Sequence, residues 1–131
     1  MAPRVTVVND NPEFLELVRD ILEDDEYATT TIDGDVDGAL ERVIASRPDL
    51  VVLDLRLGTD KLHGWEIAQE LRREPSLEGL PVIICSTDVL ALQALADDLA
   101  DTKQVRTLRK PFAIVELTAA IDGLLVEAAS G

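Results

Sequence analysis

The chain has 131 residues, one cysteine and a formal net charge of −14. That length suits a single domain, residues 1–131, with a core of its own, and the lone Cys85 excludes an internal disulfide. The acidity argues against direct nucleic-acid binding, because a phosphate backbone would be repelled.

Other classes fall on motif grounds. No apolar run reaches the about 20 residues that span a bilayer. The N-terminus runs straight into a strand-like segment and does not resemble a signal peptide. A cytoplasmic protein with no membrane contact is therefore expected. One Cys and one His cannot build a tetrahedral zinc site. There is no GxGxxG and no GxxxxGK[ST] to cradle a nucleotide.

In chain order, Val5 to Val8 is a short β-branched run that predicts a buried strand. Phe14, Leu15, Val18, Ile21 and Leu22 follow at helical spacing. Asn11 supplies an N-cap for that helix and Pro12 suits its first turn. Tyr27 to Ile32 predicts a second strand. After the break at Gly34 and Asp35, Val36, Leu40, Val43 and Ile44 mark a second helix, ended by Pro48. Leu50 to Leu53 is a strongly apolar third strand. Trp65, Ile67, Ala68 and Leu71 mark a third helix, ended by Pro75. Val82 to Cys85 is the fourth strand, and Val89 to Ala100 a helix rich in Ala and Leu. Val105 to Leu108 is the fifth strand. Pro111 is expected to open the last helix, with Ile114, Leu117, Ile121 and Leu124 on one face.

Five strands alternating with five helices imply a parallel sheet covered on both faces. Right-handed crossovers favour a doubly wound α/β fold with strand order 2-1-3-4-5, which is flavodoxin-like. In such sheets ligands bind beyond the carboxyl ends of the strands, near the switch point between the first and third. The first strand delivers Asn9 and Asp10 there, the third Asp54, the fourth Ser86 and Thr87, and the fifth Lys110. An acid pair, a hydroxyl and an ammonium thus meet at one edge. Together they suit a phosphoryl ligand. A hard cation such as Mg²⁺ relieves the repulsion between two carboxylates. A hydroxyl and a lysine can pair with phosphoryl oxygens. A carboxylate can itself attack phosphorus.

Plainer roles exist for each residue. Asp10 could cap the first helix, Asp54 could end a strand in a turn, Ser86 and Thr87 could cap the fourth helix, and Lys110 could be a surface lysine. His63 lies in a polar loop and is assigned no role. Cys85 reads as a buried strand residue, and Trp65 as a helix-packing residue.

At this point the chain resembles the receiver domain of two-component response regulators, a CheY-like family. The matching segments are VVNDNPEFLELVRDIL, PDLVVLDLRL, LPVIICST and RKPF, which are spread over almost the whole chain, from residue 7 to residue 112. The resemblance implies that Asp54 accepts a phosphoryl group from a sensor histidine kinase or phosphotransfer protein, and that a downstream protein target reads the result. It makes Asp10 a Mg²⁺ ligand, gives Arg56 a backbone carbonyl in the metal site, and assigns Ser86 and Lys110 as the hydroxyl and the lysine. Such a domain switches a protein-interaction surface and is not a conventional enzyme.

The sequence departs from the family pattern in four places. Asn9 replaces a second acid and is expected to act from the outer shell of the metal. Thr107 stands where an aromatic switch residue is usual. The loop from Leu57 to Gly64 is longer than the common form and has Gly58 where Pro is frequent. No output segment follows the receiver-like region, so the domain is expected to stand alone. The first two departures leave a second reading, a pseudo-receiver that binds partners without phosphorylation. A hydrolase using an aspartyl-phosphate is a rival of another class, but D-x-D-x-[TV] fails because Arg56 stands at its second Asp. A flavodoxin-like FMN carrier would need donors to phosphate where Asp10 puts a carboxylate. Arg56 and Asp88 are expected to face each other as an ion pair across the pocket mouth.

Overall fold

The computed structural model describes residues 2–33, 38–55, 63–77, 79–98 and 105–130. Five strands form one parallel sheet: β1 (Arg4–Asn9), β2 (Ala28–Asp33), β3 (Leu50–Asp54), β4 (Val82–Ser86) and β5 (Val105–Arg109). Their order is β2-β1-β3-β4-β5, as the alternation of strand and helix predicts. The helices are α1 (Pro12–Asp24), α2 (Ala39–Ser46), α3 (His63–Arg73), α4 (Val89–Asp98) and α5 (Ile114–Ser130). Pro75–Leu77 adds a short 3-10 turn after α3.

Alternation along each strand divides the core in two. Val5, Val7, Leu50, Val52, Ile83 and Cys85 face Leu15, Val18 and Leu22 of α1 and Leu117, Ile121 and Leu124 of α5. Val8, Val51, Leu53, Val82 and Ile84 face Val43 of α2, Ile67 and Leu71 of α3 and Leu92 of α4. The central strands bury both faces, so they read as continuous apolar runs with no polar alternation.

Local chemistry sets the element starts. Asn11 caps α1 by accepting from the backbone N–H groups of Glu13 and Phe14, at 3.0 and 3.3 Å, with Pro12 behind it at the first helical position. Asp88, not Ser86 or Thr87, caps α4, through a bond from Ala91 N to its Oδ1 at 3.0 Å. The last helix also starts later than expected. Pro111 does not open it. The backbone N–H of Lys110 still pairs with the Ser86 carbonyl at 2.8 Å, which carries the chain one residue past β5. The Lys110–Pro111 peptide bond is cis. Phe112 then packs against the α1 side of the core. Only after that does Glu116 receive the Ala113 N–H at 3.0 Å and close the first turn. Val36, expected in the second helix, and residues 99–104 beyond α4 lie outside the described residues.

Candidate functional site

Register decides which side chains can meet at the carboxyl edge. Asn9 continues the Val5–Val7 face of β1 and Asp54 the Leu50–Val52 face of β3, so both point toward α1 and α5. Leu108 packs against that same side, and Lys110 lies two residues beyond it. The three side chains make direct contact. Lys110 Nζ lies 2.6 Å from Asp54 Oδ2. The Asn9 amide donates to that same oxygen at 3.0 Å. Asn9 Oδ1 in turn accepts the Asn11 N–H at 2.8 Å. A backbone donor on one side and a carboxylate on the other fix which way this amide points.

The Asp54 carboxylate is sheltered but open. The Asp54 side chain is 14% exposed and that of Lys110 20%, while Asn9 is buried. Asp10 is exposed, one residue beyond the end of β1. Lys110 has a second neighbour: its Nζ lies 4.6 Å from the centre of the Phe14 ring on α1. Phe14 meets Phe112 edge to face, with centroids 6.3 Å apart.

Ser86 belongs to the other face, in line with Val82 and Ile84. It is buried, and its Oγ accepts the Asp88 N–H at 3.0 Å, just before α4 begins. Cys85 is the register partner of Asp54. Burial pushes its thiol up to about 12, with Lys110 pulling down and Asp54 pushing up as smaller effects. It is therefore a neutral thiol at physiological pH and adds no charge beside Asp54.

Two residues that matter here were not singled out from sequence. Gly64, in the first turn of α3, donates its N–H to Leu55 O at 3.0 Å. A Cβ there would lie 1.9 Å from the Asp54 carbonyl oxygen, so only glycine lets α3 start this close to β3. Its signal was a glycine immediately before a helical stripe. Phe14 read simply as a core position of α1. Arg56 lies outside the described residues, and with it the expected Arg56–Asp88 pair. Among the described residues there is no group of three or more His, Cys, Asp or Glu side chains suited to a metal.

This geometry coincides with a family match. The model for "Response regulator receiver domain" fits residues 5–122. The chain belongs to the response regulator receiver domain family. The nitrogen assimilation regulatory protein NtrX of Azorhizobium caulinodans is 38% identical over 86 residues, 66% of this chain and 18% of that protein. The DNA-binding response regulator MtrA of Mycolicibacterium smegmatis is 34% identical over 131 residues, 95% of this chain and 51% of that protein. The receiver domain thus spans about half or less of the length of the curated relatives it matches. Among solved structures, the response regulator TrrA of Thermotoga maritima, in complex with Mg²⁺-BeF, matches with a TM-score of 0.75 at 26% identity. That match covers 93% of this chain and 98% of that one. No described helix is long and apolar enough to cross a membrane.

Proposed function

We propose that Asp54 of this receiver domain accepts one phosphoryl group, with Mg²⁺ present, from a sensor histidine kinase or phosphotransfer protein. The acyl phosphate then alters the surface offered to a downstream protein target. The observation that carries this reading is the short Lys110–Asp54 contact, which sets a cation beside a sheltered carboxylate at the switch point of the sheet. In the transfer, an Asp54 carboxylate oxygen bonds to phosphorus as the bond from phosphorus to the donor's histidine nitrogen breaks. That nitrogen keeps the electron pair and takes up a proton. Lys110 is close enough to follow the phosphoryl oxygens as a point charge. The Ser86 hydroxyl is available to donate to another of them.

The donor set fits Mg²⁺, which uses one or two carboxylates and keeps several waters. Asp10, Asp54 and the backbone carbonyl of Arg56 would hold it. Asn9 would act from the outer shell through the remaining lone pair of Oδ1. When bound, the cation offsets negative charge as the phosphoryl group nears the carboxylate. We place the domain in the cytoplasm, with protein partners and no nucleic-acid contact of its own, in keeping with its net charge of −14.

One observation favours a second reading. Asn9 is an amide where the family pattern has a second acid, and it donates to Asp54 Oδ2 at 3.0 Å, which leaves one carboxylate fewer for a cation, as a phosphorylation-independent interaction domain could tolerate. Intact mass after incubation with acetyl phosphate and Mg²⁺ separates the two. Under the first reading the wild type gains one phosphoryl group and Asp54→Asn gains none. A wild type that gains none from any small donor or kinase belongs to the second.

A further inference from the structure

Lys110 is held from two sides. Its Nζ lies 2.6 Å from Asp54 Oδ2 and 4.6 Å from the centre of the Phe14 ring. An aromatic face carries partial negative charge and attracts a cation at this range. The ring is itself held. Phe112 meets it at 6.3 Å with an interplanar angle of 80°, the edge-to-face arrangement that aromatic pairs favour. Both rings are only half-buried at the margin of the α1/α5 core, so their positions are not imposed by deep packing alone. A lysine has four rotatable bonds and loses much rotamer freedom when it is fixed in one place. The Asp54 carboxylate cannot do the fixing during transfer, because its charge is then being shared with the incoming phosphoryl group. The Phe14 ring keeps its charge distribution throughout.

We infer that Phe14 is a positioning residue for phosphoryl acceptance, acting through Lys110: its ring face holds the ammonium at the pocket while Asp54 reacts. The role rests on the proposed acceptance of a phosphoryl group by Asp54. What Phe14 must supply is a π face at the right height. Tyrosine keeps that face. Leucine keeps much of the apolar volume and loses the face.

The test has two arms. The first is the rate of mass gain from acetyl phosphate with Mg²⁺ for wild type, Phe14→Leu, Phe14→Tyr, Lys110→Ala and the Phe14→Leu/Lys110→Ala double variant. Phe14→Leu slows acceptance by about two- to fivefold, the range expected for a partly exposed cation–π contact. Phe14→Tyr restores the rate. In the Lys110→Ala background Phe14→Leu has no further effect, because the group it positions is gone. The second arm is the NMR shift of the Lys110 ε-methylene protons in the unphosphorylated domain. They lie upfield in wild type and Phe14→Tyr and move downfield in Phe14→Leu. An equal slowing by Phe14→Leu with and without Lys110 overturns the inference, since it marks a packing defect. So does an unshifted Lys110 signal in wild type, or an unchanged rate in Phe14→Leu. A wild type that gains no phosphoryl group defeats the functional reading itself. A wild type that gains one while Phe14→Leu is silent defeats the positioning role alone.

Discussion

The two faces of the sheet divide the candidate chemistry unequally. On the α1/α5 face, Asn9, Asp54 and Lys110 are already in contact, and Phe14 backs the lysine. On the α2/α3/α4 face, the Ser86 hydroxyl is bonded instead to the turn that starts α4, while its backbone carbonyl accepts the Lys110 N–H. The groups on the first face are already assembled around Asp54 Oδ2. The hydroxyl on the second face is part of the entry to a helix. A pull on Ser86 is therefore a pull on α4, through Asp88. With Thr107 in place of an aromatic residue, this route to the surface needs no ring to move.

The comparison can be broken first at Gly64, where the second face presses its helix against β3. Gly64→Ala forces a methyl group into the Asp54 carbonyl. It should cost about 1–3 kcal/mol or more, because neither backbone can yield cheaply. Urea unfolding of the two proteins measures this, and equal midpoints would mean that α3 need not start so close.

Asn9→Asp loads the first face. It exchanges an amide donor for a carboxylate beside Asp54, so the metal-free domain should lose about 1–3 kcal/mol at neutral pH. Mg²⁺ affinity should rise about tenfold or more, the scale of outer-shell changes. Added Mg²⁺ should then raise Tm more in the variant than in wild type. Equal affinities in paired titrations would remove Asn9 from the neighbourhood of the cation.

Ser86→Ala probes the second face alone. The Asp88 N–H loses its acceptor, for a stability cost of about 0.5–1.5 kcal/mol. The rate of mass gain should fall less than in Lys110→Ala, because Ser86 stands apart from the preassembled set. A larger fall would mean that the hydroxyl helps to form the adduct.

The smallest effect at physiological pH lies at Cys85. Its thiol ionises near 9.0 in the unfolded chain and at about 12 when folded. Between those values the folded state holds a proton that the unfolded state has released. Its contribution is complete below pH 9 and is lost as pH rises toward 12, at up to about 1.4 kcal/mol per pH unit. Cys85→Ala should flatten that alkaline decline in unfolding free energy and leave the slope near pH 7 unchanged.

Much of this was legible in the residues. The order of strands and helices followed from apolar runs whose period switches between two and 3.6, and the handedness of crossovers then set the sheet order. The edge holding Asn9, Asp54 and Lys110 followed from the switch-point rule. The start of α5 was misplaced because proline is favoured at a helix start, while the need to bring Phe112 over Phe14 is a tertiary demand. Phe14 itself looked like one more apolar position in a stripe. A stripe records which residues face the sheet and says nothing about which one also meets a lysine from another strand.

The most direct test of the account is where the phosphoryl group sits. Borohydride reduces an acyl phosphate to an alcohol with loss of phosphate, turning an aspartyl phosphate into homoserine. Peptide mapping of the domain after acetyl phosphate, Mg²⁺ and borohydride should find homoserine at residue 54 and unmodified aspartate at residue 10. Homoserine at residue 10, or a mass gain with no homoserine at residue 54, would contradict the assignment of Asp54 as the acceptor.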